Sequence, residues 1–175
     1  VYVGSNAPPT HWVSASLIPN TWSSLKFNPN SGSQAIASTI TSSEAEQMST
    51  SMECFLSAAA QDVRYINIEL NPKLCLYFGF GTGNGDLMRI LLPDGAKTLH
   101  AGSERTANGW DVTYELPFKL LRLLFPDFAP HGKIRGNFYK CGDALSTPHS
   151  ITWAPLSTPS PYYHRAELFA EIDCE

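Results

Sequence analysis

Val63-Arg64-Tyr65-Ile66-Asn67-Ile68-Glu69-Leu70-Asn71 alternates along its whole length. Successive side chains of an extended chain point to opposite faces. Ile66, Ile68 and Leu70 therefore share one face, and Tyr65, Asn67 and Glu69 share the other. This period of two predicts a half-buried strand. Asn71-Pro72-Lys73 follows as a turn signal, and residues 74–80 read as the returning arm of a hairpin. Upstream, Met52-Glu53-Cys54-Phe55-Leu56 repeats the pattern, with Met52, Cys54 and Leu56 on one face and Glu53 on the other. Two strands thus carry carboxylates, Glu53 and Glu69, away from their apolar faces.

The same alternation recurs outward from this hairpin. Gly109-Trp110-Asp111-Val112-Thr113-Tyr114-Glu115-Leu116 puts Trp110, Val112, Tyr114 and Leu116 on one side. Residues 134–141, 150–154 and 168–172 read as strands. Shorter candidates lie at 87–92 and 98–105 around the turn Pro93-Asp94-Gly95. Ile36 and Ile40 share a face over residues 35–41. Residues 1–34, rich in Pro, Ser, Asn and Gly, read as extended chain with edge strands around Trp12 and Trp22. Pro117 opens one convincing helix, Phe118-Lys119-Leu120-Leu121-Arg122-Leu123-Leu124-Phe125, which Pro126 and Pro130 end. Many short strands with one helix predict an all-β, antiparallel, jelly-roll-like sandwich. No repeat or linker interrupts it, so residues 1–175 are expected to form a single domain. Ile66, Ile68, Trp110, Val112, Phe138 and Trp153 are its predicted core.

Bulk properties narrow the function. A net charge of -4, with no basic stripe, argues against nucleic acid. No apolar run approaches the ~20 residues of a membrane helix, so membrane insertion is not expected. The chain starts at Val1 without a signal-peptide pattern. Cys54, Cys75, Cys141 and Cys174 fall in strand-like segments without CxxC or Cys/His spacing, which excludes a structural zinc and favours free thiols.

Catalytic motifs are thin. Gly79-Phe80-Gly81-Thr82-Gly83-Asn84-Gly85 lacks the Gly-Lys-Ser/Thr and following helix of a phosphate loop, and reads as a flexible connection between strands. No Gly-x-Ser-x-Gly presents a nucleophile. His149 or His164 with Asp143 matches no metal-ligand spacing. A glycosidase needs two carboxylates that flank a bond, a role open to Glu53 and Glu69 if their strands are neighbours. Sugar recognition fits the residue types better. Sugar rings offer apolar faces to aromatic side chains, and hydroxyl rims to planar hydrogen-bonding groups. Glu53, Asn67, Glu69, Arg135 and Asn137 supply the second kind. Tyr162, Tyr163 and His164, in a loop stiffened by Pro159 and Pro161, supply the first. A loop packed onto its own sheet explains those aromatics equally well.

A set of motifs in order carries a family resemblance. They are Gly109-Trp110, Glu115-Leu116-Pro117-Phe118, Arg135-Gly136-Asn137-Phe138-Tyr139-Lys140-Cys141-Gly142-Asp143, Pro148-His149, Thr152-Trp153-Ala154-Pro155, and His164-Arg165-Ala166-Glu167-Leu168-Phe169 with Glu171. Over residues 35–173 the chain resembles the carbohydrate-binding module family 9-like proteins of bacteria. The resemblance implies a non-catalytic β-sandwich that binds glucan- or xylan-type sugars. It implies a ring held between two tryptophans, one six residues before Glu53 and one in the loop before the last strand. Here those places hold Gln47 and the Tyr162, Tyr163, His164 group. Asn67 and Glu69 match a polar pair. The resulting expectation is an oligo- or polysaccharide partner, a monomer in a secreted or periplasmic setting, and no cofactor, with calcium left open. The alternative is a structural or protein-interaction sandwich that has lost sugar binding.

Overall fold

The computed structural model describes residues 10–11, 25–27, 35–42, 51–59, 61–83, 85–107, 109–129, 133–142, 148–158 and 162–173. In chain order the strands are β1 (Thr10–His11), β2 (Leu25–Phe27), β3 (Ala35–Ser42), β4 (Ser51–Ser57), β5 (Tyr65–Leu70), β6 (Leu76–Gly81), β7 (Met88–Arg89), β8 (Gly102–Thr106) and β9 (Gly109–Pro117). Helix α1 (Phe118–Leu124) follows, then β10 (Lys133–Gly142), β11 (His149–Thr152) and β12 (Ala170–Asp173).

Every strand pairing is antiparallel. The larger sheet runs β1-β11-β10-β4-β5-β6-β7, with β12 also on β10; the smaller runs β2-β3-β9-β8. The long β10 makes this possible. One edge pairs with β4, while the other is shared by β11 near Cys141 and β12 near Ile134.

The two sheets bury one apolar layer. Met52, Cys54, Leu56, Ile66, Ile68, Leu70 and Phe78 of the larger sheet meet Trp110, Val112, Tyr114 and Leu116 of the smaller. Phe118 and Leu121 of α1 plug the same layer, with Phe125 and Phe128 just beyond the helix. The all-β sandwich and its one short helix are therefore present as the alternation predicts.

Several local expectations need correction. Of residues 87–92, only β7 is paired strand. Residues 98–105 divide into a 3-10 turn over Gly95–Leu99 and the strand β8. Asp94 and Gly95 both take positive φ, 56° and 54°, which curls the chain and drops Leu99 fully into the core. Pro117 ends β9 and caps α1 from outside instead of opening its first turn. Cys75 lies exposed ahead of β6, not in a strand. Trp153 is half-buried at the core's margin, edge-on to Phe138 at 5.6 Å, because the chain bends immediately after β11. Trp12 and Trp22 lie outside the described residues.

Candidate functional site

The face of the larger sheet turned away from the core carries the polar residues. Register sets them in rows. Tyr77, Glu69, Glu53, Tyr139 and Thr152 stand opposite one another across β6, β5, β4, β10 and β11. The next row is Arg89, Gly79, Asn67, Phe55 and Asn137. Glu53 and Glu69 are thus direct cross-strand neighbours, an arrangement that costs stability when both are charged.

The environment of this pair is dry. Glu53 is 7% exposed, and Asn67 beside it 1%. Burial pushes the Glu69 carboxyl above the ordinary carboxylate range, and a hydrogen bond from Asn67 pulls it partly back. Asn67 Nδ2 donates to Glu69 Oε1 at 3.0 Å. Asn67 Oδ1 is buried and accepts no hydrogen bond among the described residues. An unmet buried acceptor costs about 1–3 kcal/mol. The two rows therefore hold the Glu69 carboxylate fixed by the Asn67 amide and, beside it, a buried acceptor without a partner among the described residues.

The loop before β12 divides the aromatic residues. Tyr163 is buried, stacked on Tyr139 with centroids 4.1 Å apart and planes at 13°. Tyr139 Oη donates to the Tyr163 carbonyl at 3.2 Å. His164 Nδ1 bonds the Tyr65 hydroxyl at 2.8 Å, and its ring lies 4.9 Å from Phe55. Burial holds the His164 imidazole below its usual pKa. Tyr162, 43% exposed, faces solvent. With Phe55, Tyr65, Leu156 and Phe169, Tyr163 completes a second apolar cluster that spans β10, β4 and β5 on this face. Toward β6 and β7 solvent reaches the face, with Glu69 and Tyr77 partly exposed and Arg89 exposed.

The remaining sequence candidates separate. Asn137 is fully buried; its Oδ1 accepts from Phe138 N and Ala154 N at 2.9 Å each, and its Nδ2 donates to the Ala154 carbonyl at 3.2 Å. Arg135 sits two rows from the Glu53–Glu69 pair, opposite Ser57. Its guanidinium reaches the carbonyls of Ala166 and Asp62 at 3.4 Å each. Gln47, Asp143, Pro159 and Pro161 lie outside the described residues. Among the described residues, no group of three or more His, Cys, Asp or Glu could hold a metal ion. No helix among them is long and apolar enough to cross a membrane. The glycine-rich run is a stapled turn: Asp86 accepts from Thr82 N at 3.0 Å, Thr82 Oγ1 at 2.6 Å and Gly83 N at 2.7 Å.

Sequence reasoning passed over Tyr77 and Arg89. The visible signal was Tyr77 two positions before Gly79 in a strand. What gave it meaning, the register onto Glu69, is a long-range fact.

Comparison with known proteins agrees with this architecture. A protein of Bacteroides uniformis, named as a candidate carbohydrate-binding protein, superposes with a TM-score of 0.63 at 20% identity, over 81% of this chain and 72% of its own. No curated protein sequence matches the chain. The sequence profile described as "Carbohydrate-binding family 9" matches residues 25–174, and it is to this family that the chain belongs.

Proposed function

We propose that this chain is a non-catalytic, single-domain module that binds glucan- or xylan-type oligo- or polysaccharides as a monomer. The polar floor is Glu53, Asn67 and Glu69. The observation that supports this most is the opposed carboxylate pair with an unmet Asn67 acceptor beside it. Carboxylate oxygens and Asn67 Oδ1 all accept hydrogen bonds, and the hydroxyls of one sugar ring supply several donors. Family membership makes carbohydrate the ligand class to test first.

Catalysis fits the geometry poorly. Glu53 and Glu69 rise from neighbouring strands on the same sheet face. Both therefore approach a bound ring from one side, whereas glycoside hydrolysis uses carboxyls that flank the bond.

Binding is expected to be weak. Neither family tryptophan position carries tryptophan, and Tyr163 and His164 are packed into the sheet. A dissociation constant in the high-micromolar to millimolar range corresponds to about 4–6 kcal/mol. Calorimetry with cello- and xylo-oligosaccharides checks this, with Glu53→Gln expected to remove binding. The packing of Tyr163 and His164 also favours a second reading, a structural or protein-interaction sandwich without a sugar site. A glycan array on which no sugar is retained supports that reading and overturns the first.

A further inference from the structure

We propose that Tyr77 is an aromatic platform of the sugar site, so that a ring held by Glu69 stacks on β6 at the open end of the row. This inference rests on the sugar-binding reading above and adds a residue to it.

Three observations carry it. First, Tyr77 is the direct cross-strand partner of Glu69 and shares its face. Second, the late loop packs on β10, β4 and Tyr65 of β5, and solvent reaches this face at Glu69 and Tyr77 and, in the next row, at Arg89. A ligand that touches Glu69 therefore lands beside the tyrosine. Third, the ring is placed by built features. It crosses over Gly79, where an added Cβ would stand 2.9 Å from Tyr77 Cε1 and 3.0 Å from its Oη. Only glycine leaves room for it there. The Arg89 guanidinium lies 5.8 Å from the ring centroid. That is near the outer limit of cation–π contact, about 6 Å. Arg89 is exposed, so its N–H donors are available beside a stacked sugar.

Tyr162, 43% exposed on the late loop, is the other aromatic ring that solvent reaches there.

The test is a titration of the full chain with cello- and xylo-oligosaccharides, using the parent, Tyr77→Ala, Tyr77→Phe, Tyr77→Trp, Gly79→Ala and Glu53→Gln. Tyr77→Ala should weaken binding about 10-fold, which is ~1.4 kcal/mol. Tyr77→Phe should stay within about two-fold, because stacking needs the ring and not the hydroxyl. Gly79→Ala, which displaces the ring without removing it, should weaken binding in the same direction. Tyr77→Trp should bind more tightly and add a fluorescence change on saturation that a purely structural tyrosine would not produce. Parent binding that Glu53→Gln abolishes and Tyr77→Ala leaves unchanged overturns the role of Tyr77 alone. No binding by the parent removes this inference together with the reading beneath it.

Discussion

Asn137 shows how residue type and residue role come apart. Its side chain suits a ligand contact, yet its Oδ1 and Nδ2 both bond backbone, each reaching Ala154. It ties the chain leaving β11 to β10. Asn137→Ala should therefore lower stability by about 3 kcal/mol, since it strands buried backbone groups. Urea unfolding measures this, and a change under 1 kcal/mol would contradict the assignment. Glu69 makes the opposite case. Its carboxyl is raised above the ordinary 4.5 by burial. The folded protein thus holds the proton more tightly than the unfolded chain. The contribution of this group to stability is fully present at or below about pH 4 and is lost as pH rises from there through the raised value. Glu69→Gln keeps an acceptor for Asn67 and removes the charge. It should raise the melting temperature at neutral pH, with the difference closing toward about pH 4. A lower melting temperature at neutral pH would show that the ionised carboxylate is stabilising. The sequence made the faces of Asn67 and Glu69 legible because alternation is local. It could not tell a spent amide such as Asn137 from an available one, because hydrogen-bond partners are distant in the chain.

At the scale of elements, β10 holds the larger sheet together through three partners. Gly136 is where it comes closest to β4: an added Cβ would sit 2.7 Å from the Phe55 carbonyl. That neighbour is backbone and cannot swing away. Gly136→Ala should cost on the order of 1–3 kcal/mol, the range of overpacking. An unchanged denaturation midpoint would mean that the strands part without penalty. The late loop is the second decisive element. Tyr163→Ala removes the partner of Tyr139 and opens the second cluster, for an expected loss of ~3–5 kcal/mol. Both readings of that loop were visible in its sequence, ring against sugar or ring against sheet. Packing resolves them residue by residue, with Tyr163 and His164 down and Tyr162 out. The strands at 52–56 and 65–70 were legible because their period was strict. The segment at 98–105 was not, because left-handed backbone at Asp94 and Gly95 diverts it into a turn first.

In the whole sandwich, the larger sheet commits one face to the core and leaves the other partly covered by the late loop. The thiols differ in burial. Burial pushes the Cys54 thiol up to about 12, against a hydrogen bond from Tyr114. Cys75 is exposed. A thiol reagent near neutral pH should modify Cys75 quickly and Cys54 only after unfolding. Four thiols should be counted in denaturant without reductant, one for each cysteine of the sequence. Two or fewer would reveal a disulfide within the chain. The central claim is that the outer face of the larger sheet binds sugar through the opposed carboxylate pair, reached from the partly exposed Glu69. Backbone amide chemical shifts followed during titration with cello- and xylo-oligosaccharides test it most directly. The account predicts saturable shifts concentrated at Glu53, Asn67, Glu69 and Tyr77, with β8 and α1 unmoved. Shifts confined to the smaller sheet, or none with any sugar, would contradict it.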